Sequence, residues 1–267
     1  MTLFAKSAAI EIVPRDLTFG RDQTLARWWQ GGDPVATAFY NALSITFPKG
    51  EAFFIRSVRF FANEAPPALR SEIQAFCRQE AFHTREHAEF NRQVEAAGFV
   101  LSDFEPKLVR AMEQPALMQL LITVSLEHFT AIIAHALLSD PRHLADASPA
   151  SRAMWRWHAM EEIEHKAVAY DTFLWVTRDM PASARWKLRC RVMVGVSLRF
   201  FLGRRRTALA LLAQDGLDTP ANRRRLDRFL WLSPGLYRQI ALGWLGYFVP
   251  GFHPWRRDDR KLLVPAA

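Results

Sequence analysis

Cysteine is scarce in this chain: Cys77 and Cys190 are the only two, and they lie far apart. That argues against a disulfide framework or a thiolate zinc site and fits a reducing compartment. The opening residues, MTLFAKSAAIEIVPRD, lack the apolar core of a signal peptide, so a cytoplasmic location is expected. Long apolar runs are missing too. The longest uncharged one, residues 239–255, is interrupted by Gly243, Gly246, Pro250, Gly251 and Pro254, and its continuous part is shorter than the roughly 20 residues of a membrane span. No alternating strand pattern, low-complexity tract or solenoid period is visible, which argues against β and repeat architectures. The His-Glu-x-x-His zinc motif is also absent.

What is present is an apolar, aromatic-rich chain. Half of its 267 residues are hydrophobic, with nine tryptophans and twenty phenylalanines, enough for a large core without disulfides or an obligate partner. Charge is uneven. Residues 1–180 carry 18 basic and 22 acidic side chains, net −4, whereas residues 181–267 carry 17 and 5, net +12. The change of sign predicts a helical bundle over 1–180 followed by a basic amphipathic helical extension over 181–267, packed on it.

Helix signals punctuate the first region. Asp33-Pro34 is an N-cap and first-turn pair, opening a helix expected to break near Pro48-Lys49-Gly50. Glu51 then falls in the first turn of a segment that stops at Pro66-Pro67. A long helix is expected over 68–98, with Gly98 as its stop and Ile73, Cys77, Glu80, His83 and His87 on its inner stripe. Pro115 opens another, to about 138, with Leu120, Val124, Glu127 and Ala131 at helical spacing. Ser148-Pro149 opens a last one, to about 178, carrying Met154, His158, Glu162, His165 and Ala169. Together they predict an all-α fold built on a four-helix bundle, with the 98–115 connection crossing between helix pairs.

Seven residues in that frame stand at metal-ligand spacing: Glu51; Glu80 with His83; Glu127; and His158, Glu162 and His165. Glu80/His83 and Glu162/His165 are Glu-x-x-His pairs, whose side chains share a helix face about 60° apart. Two such pairs, each preceded by a lone glutamate, match the donor set of carboxylate-bridged dinuclear centres in helix bundles. Two divalent cations at close range repel, so anionic groups must lie between them. Four carboxylates balance two such ions, and neutral imidazoles complete the coordination without adding charge. Glu80 and Glu162 are therefore expected as bridges, His83 and His165 as one ligand to each metal, Glu51 and Glu127 as terminal carboxylates, and His158 as a seventh ligand. Iron is the expected metal, with manganese and zinc as the other options.

Competing readings exist for several of these residues. Glu127 is nearly the only charge in LLITVSLEHFTAIIAHALL, where a carboxylate without a partner is hard to explain. Glu51 can also be read as a first-turn acid favoured by the helix dipole, and His158 as a core histidine or a support to a ligand. His87 shares the face of His83 and is either a support, a substitute ligand or an exposed member of the charged run TREHAEF. Glu86, Glu89, Glu161 and Glu164 are expected off the metal face, as solvated charges or supports. Asp171 and Tyr170 are candidates to orient the imidazoles.

The donor set resembles that of ferritin-like di-iron oxidases and oxygenases. His-x-x-x-Glu-x-x-His on the last helix, within three histidines and four carboxylates, is similar to the arylamine N-oxygenases of that group. Over most of its length the chain is similar to a bacterial family known as predicted metal-dependent hydrolases, through FPKGEAFF, RQEAFHTREH, LEHFTA, HAMEEIEHKAVAYD and PGFHPW. The first resemblance implies a ferritin-like bundle whose non-haem di-iron centre uses O2 and an electron donor to oxidise a small hydrophobic substrate. The second implies a hydrolase in which metal-activated water attacks an ester, amide or phosphate. The donor set ranks oxidation first and hydrolysis second. An iron-storage protein is a third reading, but it calls for an acidic mineral-facing surface that the basic tail does not support.

In that tail, Arg185, Lys187, Arg189, Arg191 and Arg199 are mixed with Trp186, Leu188, Val192, Val194, Leu198, Phe200 and Phe201, ahead of Arg204-Arg205-Arg206. The mixture suits a helix packed on the bundle with its arginines in solvent, or a peripheral contact with an anionic membrane. No nucleic-acid recognition motif accompanies the charge, so nucleic acid is not an expected partner.

Overall fold

The computed structural model describes residues 10–104 and 108–263. Among them every named element is helical, and the β-type contact is an isolated bridge between Gln30 and Ala147. The fold is all-α.

Asp33 caps α1 (Pro34–Ser44) by accepting hydrogen bonds from the amides of Val35 and Ala36, and Pro34 opens the helix. The chain then turns at residues 45–46, earlier than expected, and α2 (Phe47–Arg59) begins. Pro48 lies in the first turn of α2, where its missing N–H forfeits no helical hydrogen bond. Glu51 consequently sits in the second turn, not the first, and the dipole reading of this residue loses its basis.

Helix α3 (Pro67–Ala96) stops where Gly98 takes φ +99°, a conformation that favours glycine. The connection that follows includes a single-turn helix α4 (Val109–Met112), while residues 105–107 of the expected crossover lie outside the described residues. Helix α5 (Ala116–Ser139) is next. Instead of one helix to about 178, there are two, α6 (Pro149–His165) and α7 (Val168–Val176), separated by Lys166 and Ala167. Neither proline nor glycine marks this break. It occurs where the Lys166 ammonium is held by Asp259 Oδ2 (2.6 Å) and the Arg257 carbonyl (2.9 Å), which ties the C-terminal segment to the helices.

Packing closes a ring. α2 lies along α3 and α5 along α6; α2 also meets α5, and α3 meets both α6 and α7. Outside this ring, α8 (Ala182–Ala213) packs on α1 and α5, α9 (Pro220–Trp231) on α1, and α10 (Leu236–Gly246) on α5 and α9. One hydrophobic cluster runs from Phe39 through Phe129 to Leu211 and Tyr247, so the basic region shares the core of the helices before it.

Its arginines are not all in solvent. Arg189 is buried, with its guanidinium on the carbonyls of Tyr247 and Val249, and Arg204 reaches the carbonyl of Ala42 in α1. Among the described residues, α5 is the helix long and apolar enough to cross a membrane, and most of it is buried against its neighbours.

Candidate metal centre

Inside the ring, α2 contributes Glu51, α3 contributes Glu80 and His83, α5 contributes Glu127, and α6 contributes His158, Glu162 and His165. None is more than 4% exposed. His165 Nε2 lies 3.0 Å from Glu80 Oε1, 3.6 Å from Glu127 Oε2 and 3.6 Å from Glu162 Oε2. His83 Nδ1 lies 3.9 Å from Glu80 Oε2 and 3.7 Å from Glu162 Oε1. His158 Nε2 lies 2.9 Å from Glu162 Oε1 and 3.9 Å from Glu51 Oε1.

The donor atoms thus form neighbouring groups, each compact enough to hold a cation: Glu51, His83 and His158; Glu80, Glu127 and His165; and, overlapping both, Glu80, His83 and Glu162. Glu80 and Glu162 each turn one oxygen toward His83 and the other toward His165.

The residues present fit a hard divalent cation. Both oxygens of Glu80 and of Glu127, Glu51 Oε1, Glu162 Oε2, His83 Nδ1 and His165 Nε2 are buried without a hydrogen-bond partner among the described residues. Buried polar atoms normally find one, and lone pairs converging from several helices are satisfied together by a cation between them. Charge points the same way. Burial, with Glu80 and Glu162 close by, pushes the Glu51 carboxyl well above its usual range, and burial beside Glu162 and Glu80 does the same to Glu127. Burial also raises Glu80. At Glu162 burial works upward, but His165 and His158 outweigh it and hold the carboxyl low. His165 is raised because Glu162 and Glu80 outweigh the burial that opposes its charge, whereas burial lowers His83. Without a cation, protons supply the missing positive charge.

Each imidazole is fixed from behind. His83 Nε2 meets Glu161 Oε2 at 3.1 Å, and Glu161 Oε1 accepts from Trp157 Nε1 and from Arg15. His165 Nδ1 donates to Gln79 Oε1 at 2.8 Å, and Gln79 Nε2 donates to Glu164, itself paired with Arg15. His158 Nδ1 meets His87 Nε2 at 2.7 Å, and His87 Nδ1 meets Ser44 Oγ at 2.9 Å. Because the Ser44 hydroxyl donates to Asn91 Oδ1, His87 donates through Nδ1 and accepts through Nε2. His158 Nδ1 is therefore the donor of this pair, so its Nε2, hydrogen-bonded to Glu162 in the metal-free chain, is the nitrogen left to offer a lone pair to a cation. Thr84 Oγ1 donates to Glu51 Oε2 at 3.1 Å.

Several expectations about the surroundings change. His87 is fully buried, which removes the exposed reading. Glu161 and Glu164 are not solvated charges but buried supports. Glu86 is buried as well, held away from the cluster by Arg21, Arg85 and the amide of Phe19, while Glu89 pairs with Arg21 and Arg92. Tyr170 and Asp171 orient none of the three imidazoles. They lie past the α6–α7 break, where Tyr170 donates to the Phe252 carbonyl and Asp171 pairs with His253. Gln79, Arg15 and Ser44 are the supports that sequence reasoning missed.

Residues 13–258 match the family described as predicted metal-dependent hydrolase. The chain belongs to that family. No curated protein and no solved structure gives a significant match. The family match spans Arg15, all seven converging residues and the helices α8 to α10, so the cluster and its supports lie within the extent of the metal-dependent family.

Proposed function

We propose that this family member is a metal-dependent enzyme whose seven converging side chains hold two divalent cations in a ferritin-like four-helix setting. The observation that carries the reading is the pair Glu80 and Glu162, each offering one oxygen to either donor group. Glu51, His83 and His158 would complete one coordination sphere, and Glu127 and His165 the other. Such cations supply Lewis acidity and, with iron, electron transfer as well. The chain's own part is to balance charge with four carboxylates, to fix the imidazoles through Gln79, Glu161 and His87, and to limit water. Phe47 against His158, Phe76 against His165 and Trp157 against His83 provide the apolar jacket, with ring centroids 4.8–4.9 Å apart.

Hydrolysis is the reaction that family membership supports, and it moves ahead of O2-dependent oxidation; an ester, amide or phosphate in a hydrophobic substrate is the bond we propose it cleaves. Oxidation stands second, on the carboxylate-rich donor set in an apolar setting, which also suits iron. Metal analysis followed by anaerobic loading separates the two. Turnover of an ester, amide and phosphate panel with zinc or manganese under nitrogen supports hydrolysis. Oxygen uptake that requires iron supports oxidation, and protein that never takes up a pair of ions refutes the dinuclear centre.

The exposed stripe Val194, Leu198 and Leu202 on α8, beside exposed Arg191 and Arg199, supports peripheral contact with an anionic membrane. Co-sedimentation with phosphatidylserine vesicles, absent with neutral ones, is the expected result.

A further inference from the structure

A second site lies between the ring and the C-terminal segment. There a cavity of about 970 Å³ opens between the start of α3, α7, the start of α8 and residues 251–256, a size suited to a small organic ligand. Its walls are largely apolar, from Ile12, Leu69, Phe173, Leu174, Trp186 and Phe252. None of the seven metal-type residues lines it. The two sites share a wall at Glu164, which holds the Gln79 that fixes His165.

Arg185 lines this cavity with a buried Nη1 that has no hydrogen-bond partner among the described residues. Arg189, one turn further along α8, shows what a structural arginine does here: its guanidinium is spent on the carbonyls of Tyr247 and Val249. Among the described residues no carbonyl takes up Arg185 Nη1 in this way. Two acids of the cavity are committed elsewhere, Glu164 to Arg15 and Asp171 to His253. Arg256, exposed at the rim, adds positive charge. A buried guanidinium N–H facing an apolar chamber calls for an anionic acceptor, and the apolar walls call for a hydrocarbon body.

We propose that this cavity binds a single-chain amphiphile with an anionic head, a carboxylate or a phosphate, seated on Arg185 with its chain along the apolar walls. Its lining includes none of the seven metal-type residues, so its failure and the failure of the metal reading are separable.

Calorimetric titration of the full chain, metal-free and metal-loaded, tests the assignment with dodecanoate, dodecyl phosphate and dodecanol below their aggregation limits. One or both anions are expected to bind at least about tenfold more tightly than dodecanol, and the tighter of the two identifies the head group. Arg185→Met is expected to collapse that preference to about twofold or less while leaving dodecanol affinity and metal content unchanged, and Arg185→Lys to retain much of it. Absence of binding by all three probes, equal binding of dodecanol, or an anion preference that survives in Arg185→Met overturns the proposal. Should Arg185→Met not fold, Arg185→Lys together with the wild-type comparison of anion and alcohol still decides it.

Discussion

His87 Nε2 stands 2.7 Å from His158 Nδ1, and both rings are buried. The contact holds the His158 ring with Nε2 toward Glu51 and Glu162, and because the hydroxyl of Ser44 is committed to Asn91, His87 Nε2 is the acceptor of the pair. A ligating imidazole that loses its outer partner typically costs about 10- to 100-fold in metal affinity. His87→Ala is therefore expected to weaken one of two bound ions by about that factor and leave the other, beside His165, near its original affinity. Chelator competition reads the two affinities, and circular dichroism checks the fold. In a double-mutant cycle with His158→Ala the effects should be strongly non-additive; additive losses would mean that His87 acts elsewhere.

Glu127 is the lone carboxylate on a helix that otherwise belongs to the core, and neither of its oxygens has a hydrogen-bond partner among the described residues. A buried carboxyl in that state opposes folding unless a cation or a proton offsets it. Glu127→Leu should accordingly raise the melting temperature of the metal-free protein, by an amount equivalent to about 1–3 kcal/mol, since an apolar side chain of similar volume replaces an unsatisfied acid. The same substitution should abolish the stabilisation that metal gives the wild type. His165→Ala should also abolish stoichiometric binding, whereas Glu89→Ala, on a side chain engaged by Arg21 and Arg92, should leave metal content unchanged.

These two residues also show why part of the site was legible in the sequence. Glu127 is conspicuous because a charge on an apolar stripe contradicts its surroundings, and Glu80/His83 and Glu162/His165 follow helical spacing that survives folding intact. Proline and capping signals likewise placed the starts of α1, α5 and α6. What escaped depends on contacts between distant segments. Arg15 reaches Glu161 and Glu164 from an N-terminal stretch outside any helix, with no periodicity to reveal where it lies. Gln79 reads as one more polar helix residue until its neighbour His165 is in place. The α6–α7 break has no local marker because the contacts of Lys166 with residues 257 and 259 coincide with it.

Metal affinity should rise with pH. Burial and the neighbouring carboxylates hold Glu51 and Glu127 well above the ordinary carboxylate range in the metal-free chain. At a pH between the unfolded and the folded value, such a carboxyl is protonated in the folded chain and ionised in the unfolded one. Its contribution to stability is thus present below the unfolded value of about 4.3 and is lost as pH climbs through the folded value. Cations bind the ionised form and release those protons. The thermal stabilisation given by manganese or zinc is therefore expected to grow from about pH 5 to about pH 8, with proton release detectable in weakly buffered solution. A pH-independent stabilisation would remove Glu51 and Glu127 from the ligand set.

Lys166 and Asp259 form a buried pair at 2.6 Å, with side chains 2% and 1% exposed, and the Lys166 ammonium also sits over the ring of Trp255. The pair anchors the C-terminal segment at the α6–α7 break, one residue beyond His165. Removing one partner leaves the other charge uncompensated in a place water does not reach, which costs about 3–5 kcal/mol. Asp259→Leu should lower the urea midpoint accordingly. Lys166→Met combined with Asp259→Leu should recover most of the loss, since the remaining partners of Asp259, His135 and Arg257, are about a third exposed and can be solvated. The metal-binding stoichiometry of the double variant should match the wild type, because neither residue is among the seven converging side chains. A double variant as unstable as Asp259→Leu would show that the hydrogen bonds to His135 and Arg257, rather than the buried ammonium, make Asp259 important.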